Sequence, residues 1–270
     1  MGNKRLSRRD FLLLMGVGGG GVVALCTCSA TAGLIIATRD RTTPDATPPS
    51  QILPTQSNAN PLSIISRESW GALPPDHTAS NEYGFYSLEN TTGWRIYDGE
   101  LVDVYQTVVV HHSVMYSAND QTTLNDIQDS HRNQRGWADV GYHYFVGKQG
   151  DIFQGRALQV RGAHVAGFNT GSVGVCLLGN FMNDTPTEPQ VTMAARLVNW
   201  LAGSLQLTHL AAHRDFNDGT QCPGDNLVPY LREFATLAGL ATGVEGYQPP
   251  PEQQTPEANL GGCGCCGCGV

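Results

Sequence analysis

The stretch "TVVVHHSV", residues 107 to 114, decides the reading of the fold. Three consecutive valines with an apolar approach spell a β-strand. Side chains alternate faces along a strand, so His111 and His112 point in opposite directions and only one of them can join a given site. A histidine at a strand end is ordinarily a satisfied structural residue, unless further ligands of matching softness lie elsewhere in the chain.

They do, in "THLAAHRDFNDGTQCPGDN", residues 208 to 226. "THLAAH" reads as a second short strand that delivers His213 at its end, and "RDFNDGTQ" has the composition of a loop. Cys222-Pro223-Gly224 is a turn that exposes the thiol. Nine residues exceed one helical face, so His213 and Cys222 meet only if the loop doubles back. Imidazole and thiolate are ligands that zinc prefers, and three protein ligands leave a fourth position for water, the outline of a hydrolytic site. The same residues also admit a thiol nucleophile, Cys222, with His213 or His164 as its base. No helix N-terminus is at hand to lower that thiol's pKa, which weighs against the alternative.

The rest of the chain frames this centre. It has 270 residues, 40% of them hydrophobic, enough for one good-sized domain with tails. A formal net charge of −8 argues against nucleic acid, which needs a basic face. Residues 1–39 open with Lys4, Arg5, Arg8 and Arg9, followed by an apolar run from Phe11 to Ala37. That is the layout of a targeting segment, and "SRRDFLL", residues 7 to 13, resembles the twin-arginine export signal of bacteria. Kept uncleaved, the run is long enough to span a bilayer and tether the chain to the membrane. Cleaved at the small-x-small site Ala30-Thr31-Ala32, it releases the chain. In both cases the body is exported and works outside the cytoplasm.

Residues 40–62 form a Pro/Thr-rich linker, and residues 241–270 a Pro-rich linker with a Gly/Cys tail. Both have the composition of disordered segments. The tail carries Cys263, Cys265, Cys266 and Cys268, half of the protein's eight cysteines, a cluster that suits soft-metal binding, disulfides after export, attachment of the chain to another body, or no defined role. The globular domain is expected at residues 63–240.

Within it, "TTLNDIQDSHRNQRGW", residues 122 to 137, carries a helical stripe through Leu124, Ile127 and Ser130 or His131. Thr187 and Gln190 form a capping box ahead of a helix whose core stripe is Val191, Ala194, Ala195, Val198, Leu201 and Leu205. Asp225 is expected to start the last helix, with Pro229 in or near its first turn. Trp70 and Trp200 read as core, Cys176 as a small buried hydrophobe and His143 as structural.

"IISRESWGALPP", His111-His112-Ser113, "GWADVGYHYFVGKQGDIFQGR", "GAHVAGFN", "SVGVCLLGNF" and "AHRDFNDGTQCPGD" occur in that order between residues 64 and 237. Together they resemble the peptidoglycan recognition protein and type 2 N-acetylmuramoyl-L-alanine amidase family. The resemblance implies an α/β (α+β) fold, a mixed central β-sheet flanked by helices, with Zn2+ at one end of a groove that takes peptidoglycan. It makes His111, His213 and Cys222 the metal ligands. Tyr142 is then the phenol that assists at the developing oxyanion, and Thr220 a second polar helper. Members that only bind peptidoglycan have lost the cysteine, whereas Cys222 is present here, which favours an enzyme over a non-catalytic binding module.

The same resemblance places His131, Arg135, His164 and Asn169 along the groove. It likens Gly136, Trp137 and Arg156 to positions of members that take meso-diaminopimelate stem peptides, where an arginine fork suits the extra carboxylate. One departure stands out. The connection between "WGALPP" and "VVVHH" is longer than the family's, and with Tyr83, Phe85, Tyr86 and Trp94 it reads as an added flap or hairpin.

Overall fold

The computed structural model describes residues 62–79, 97 and 99–248. The export segment, residues 40–61 of the first linker, residues 249–270 with the Gly/Cys tail, and Tyr83, Phe85, Tyr86 and Trp94 of the added flap lie outside the described residues. Residues 241–248, expected to be linker, are described, and Ala241–Thr242 extends the sheet past the expected domain end at 240. In chain order the elements are β1 (Ile64–Ile65), α1 (Leu101–Val104), β2 (Thr107–His112), α2 (Asp120–Asp129), β3 (Tyr144–Val146), β4 (Ile152–Gln154), β5 (Ser172–Leu177), α3 (Glu188–Leu205), β6 (His209–Ala212), α4 (His213–Phe216), α5 (Val228–Ala238) and β7 (Ala241–Thr242).

Among the described residues, seven strands form one mixed sheet in the order β1-β4-β3-β5-β2-β6-β7. Only β3 and β4 pair antiparallel; every other neighbouring pair is parallel. In β2 and β5 every residue is buried. That is the signature of central parallel strands covered on both faces, and it explains their near-continuous apolar runs.

The pleat sorts these residues into two cores. Val108, Val110, Val173, Val175, Leu177, Leu210 and Ala212 join α3 and α5 in the larger cluster. Phe145, Phe153 and Cys176 point to the other face and pack with Trp70, Leu124 and Ile127, the last two from α2. Alternation therefore turns His112 toward the α3 side, where its Nδ1 accepts the Phe181 amide N–H at 3.2 Å. It turns His111 to the face of Cys176, its partner in register.

The α3 stripe is as expected, with Val191, Ala194, Ala195, Val198, Leu201 and Leu205 all buried. Its cap is only half of the expected box. Thr187 Oγ1 accepts the Gln190 N–H at 3.3 Å, but the Gln190 amide turns inward and donates to the Val146 and Leu178 carbonyls, each at 3.0 Å. A buried amide that ties two strand ends together spends both of its N–H donors inside the protein, and this wins over the local cap.

Three other expectations change. Asp225 does not start α5; Leu227 stands at its N-terminal boundary, and the Asp225 carboxylate pairs with Arg214 at 2.8 Å. Trp200 is 37% exposed on α3, not core, while Trp70 is buried at 1% and donates Nε1–H to the Gln154 carbonyl at 2.8 Å. The helix at 122–137 is regular only to Asp129 and then widens into a π turn over Ser130–Gln134, in which the Arg135 N–H reaches the Ser130 carbonyl at 3.2 Å. Such widened turns carry one extra residue and recur at functional sites.

Candidate functional site

The site grows from the carboxyl ends of β2 and β6. These strands are parallel, with Val110 opposite Ala212, so the next residues, His111 and His213, emerge side by side. Their ring centroids are 4.7 Å apart. His213 also opens α4, a turn started by Asp215, whose Oδ2 accepts the Ala212 N–H at 2.8 Å.

Cys222 arrives because the nine-residue loop does double back. Arg214 closes it: its N–H donates to the Cys222 carbonyl at 2.9 Å, one arm of its guanidinium donates to the Gln221 carbonyl, and the other pairs with Asp225. Thr220 Oγ1 accepts the Cys222 N–H at 3.2 Å, so Thr220 holds the backbone beside the thiol. Sequence reasoning missed Arg214; an arginine directly after the histidine was the available signal.

Among the described residues, His111, His213 and Cys222 bring three ligand atoms within 4.8 Å of one another, all buried. Three features fit this set to a zinc ion. Cys222 Sγ is 3.7 Å from His111 Nδ1, against about 3.6 Å for sulfur and nitrogen sharing a tetrahedral zinc at ordinary bond lengths. Nδ1 of His213 is buried with no hydrogen-bond partner, a costly arrangement that a metal bond would relieve. Burial, with His213, His164 and His112 nearby, holds the His111 pKa well below its ordinary value and keeps the imidazole in its neutral, ligating form. The His112 N–H donates to Cys222 Sγ at 3.4 Å, which favours negative charge on sulfur.

Tyr142 is half-buried beside this centre, its ring 5.1 Å from that of His111 and edge-on to Phe145 at 5.5 Å. His131, Trp137 and Arg135 extend the same wall. The His131 ring lies 5.8 Å from Tyr142 and 4.7 Å from Trp137, and the Arg135 guanidinium sits 5.2 Å over the Trp137 ring. His131 is itself anchored, its Nδ1 accepting the Gly141 N–H at 3.1 Å, and burial presses its pKa down to about 3. Gly136 joins Arg135 to Trp137 at φ +69°, a left-handed conformation that glycine adopts without strain.

The other expected groove residues face inward. Arg156 is 2% exposed, and its Nε and Nη1 donate to the Val140 and Arg161 carbonyls at 2.6 and 3.0 Å. The guanidinium is a structural hub under the loops, not a carboxylate fork. Asn169 Oδ1 accepts the His164 and Val165 amides at 2.6 and 2.8 Å, stapling its own loop. His164 is 4% exposed, with Nδ1 3.1 Å from Nε2 of His111 and Nε2 3.3 Å from the Ser172 carbonyl. Both of its ring nitrogens are engaged inside the protein.

Residues 102–225 match the N-acetylmuramoyl-L-alanine amidase family pattern. Peptidoglycan-recognition protein SC2 of Drosophila melanogaster is 32% identical over 181 residues, which is 64% of this chain and 87% of that protein. The chain belongs to the peptidoglycan-recognition protein and type 2 amidase family. Among solved members of that family, Drosophila peptidoglycan-recognition protein LB superposes with a TM-score of 0.52 at 28% identity, over 67% of this chain and 97% of the other. Peptidoglycan recognition protein LE, solved in complex with tracheal cytotoxin, a monomeric diaminopimelic acid-type peptidoglycan, gives a TM-score of 0.50 at 26% identity, over 66% and 95%. The family's amidase pattern spans the segment from α1 to Asp225, which contains all three clustered ligands.

Proposed function

We propose that this protein is a zinc-dependent amidase that hydrolyses the bond between the lactyl carbonyl of N-acetylmuramic acid and L-alanine in peptidoglycan. The observation that carries the reading is the convergence of His111, His213 and Cys222, with Nδ1 of His213 buried and unpartnered. A zinc ion held by these residues supplies a Lewis acid and brings the ionisation of water close to neutral pH.

The chain's own groups do the rest. The Tyr142 phenol, beside His111, donates toward the oxygen that gains charge as the amide carbon becomes tetrahedral; one such donor is worth roughly 10²–10³ in rate. Phe145 and His131 hold the ring of Tyr142 in place. Thr220 keeps the Cys222 backbone fixed. Arg135 and Trp137 offer a guanidinium and an apolar face to the stem peptide, and a fork of this kind suits the second carboxylate of a meso-diaminopimelate residue. That substrate lies outside the cytoplasm, in keeping with the export signal expected at residues 1–39.

The test compares the wild type, the chelated wild type and Cys222→Ser on muropeptides. Zinc chemistry requires cleavage that stops with chelator, returns with added zinc and is lost in the mutant. A thiol peptidase would ignore the chelator and yield to alkylation, and a binding module would bind without product.

A further inference from the structure

His164 is 4% exposed, with both ring nitrogens engaged inside the protein, and its surroundings are built to hold its ring in one place. The ring lies between two glycines. A Cβ at Gly162 would come within 2.5 Å of His164 Cδ2, and one at Gly174 within 2.7 Å of both Cδ2 and Cγ. These are separations that real side chains do not reach. The backbone is fixed as well, with the His164 amide donating to Asn169 Oδ1 at 2.6 Å.

The hydrogen bonds around this ring have a direction. The Ser172 carbonyl, 3.3 Å from His164 Nε2, can only accept. Nε2 must therefore carry the proton, since a bare nitrogen there would set lone pair against lone pair. A neutral imidazole protonated on Nε2 is an acceptor at Nδ1. Nδ1 faces Nε2 of His111 at 3.1 Å, so the proton in that contact belongs to His111. The remaining nitrogen of His111, Nδ1, then presents a lone pair toward Cys222 Sγ.

We propose that His164 is a positioning residue: it reads the Ser172 carbonyl and sets His111 in the Nε2-protonated tautomer, leaving Nδ1 ready as a metal ligand. Outer partners of this kind fix ring orientation and tautomer, and removing one typically lowers metal affinity about 10–100-fold. The affinity part of the proposal rests on the zinc reading above; the tautomer part does not.

The test uses the full chain with 15N-labelled histidine. Long-range proton–nitrogen correlation spectra of the metal-stripped wild type report which His111 nitrogen carries the proton, with no variant and no metal needed. The expected result is a proton on Nε2; a proton on Nδ1 overturns the proposal.

Zinc affinity is then measured by chelator competition for the wild type, His164→Leu and His164→Asn. The Asn side chain keeps an acceptor close to the place of Nδ1. His164→Leu is expected to weaken zinc about 10–100-fold and His164→Asn to stay close to wild type. An unchanged affinity in His164→Leu, or an equal loss in both variants, overturns the positioning role. A wild type that binds no zinc sinks the amidase reading, while the tautomer spectrum still decides this one.

Discussion

Cys222 Sγ stands 3.7 Å from His111 Nδ1, although 111 residues of chain separate them. The contact rests on two independent pieces of folding. The parallel register of β2 and β6 aligns His111 with His213, and the Arg214 clasp returns the loop that carries Cys222. Removing the sulfur ligand leaves both intact. Cys222→Ser is thus expected to keep the fold and weaken zinc by more than about 100-fold, beyond the cost of losing an outer partner. Elemental analysis after dialysis and a circular dichroism spectrum check both halves.

In the proposed mechanism Tyr142 acts on the reacting amide and not on the metal. Tyr142→Phe is expected to retain full zinc content and a near-normal KM while kcat falls roughly 10²-fold, the loss of one oxyanion donor. Steady-state kinetics on a defined muropeptide separates these. A fall in zinc content would place Tyr142 in the metal's support instead.

The parts of this site legible in the sequence are those set by short-range rules. The period of two in "TVVVHH" separated His111 from His112, and the stripe of α3 followed the helical period through six buried positions. Contacts that close over long distances left no local trace. Nothing near Gln190 announces that its amide will bridge Val146 and Leu178. The turn that places His131 and Arg135 breaks the helical period on which its detection relied. The resemblance of "QGR" and "GAHVAGFN" to family positions assigns Arg156 and His164 to the groove, but it says nothing of where each donor points in this chain. The same donors serve equally to satisfy carbonyls in a crowded interior.

Arg135 is expected to discriminate between stem peptides. Arg135→Ala should weaken binding of a diaminopimelate-containing muropeptide about tenfold relative to its lysine counterpart, one charge-assisted contact's worth. Calorimetry with both ligands reads the ratio directly, and an equal loss for the two contradicts the assignment.

Acid should destabilise the domain early. Burial lowers the pKa of His131 to about 3 and of His143 to about 4, from an ordinary value of 6.5. Between about pH 4 and 6.5 the unfolded chain therefore takes up protons that the folded one refuses. Stability from these neutral rings is whole above pH 6.5 and is lost as pH falls, each adding up to about 1.4 kcal/mol per pH unit to the slope. Thermal melts of the metal-stripped protein from pH 7.5 to 5 should show a falling Tm; a flat or rising Tm contradicts the buried, neutral assignment.

The amidase account itself is tested most directly by a mass spectrum of a muropeptide digest made with the zinc-loaded protein. The account predicts two products, a glycan with its lactyl carboxylate free and a stem peptide beginning with a free L-alanine amine, and neither when zinc is withheld. Tight binding of the intact muropeptide with no such products, or scission at any other bond, would contradict it.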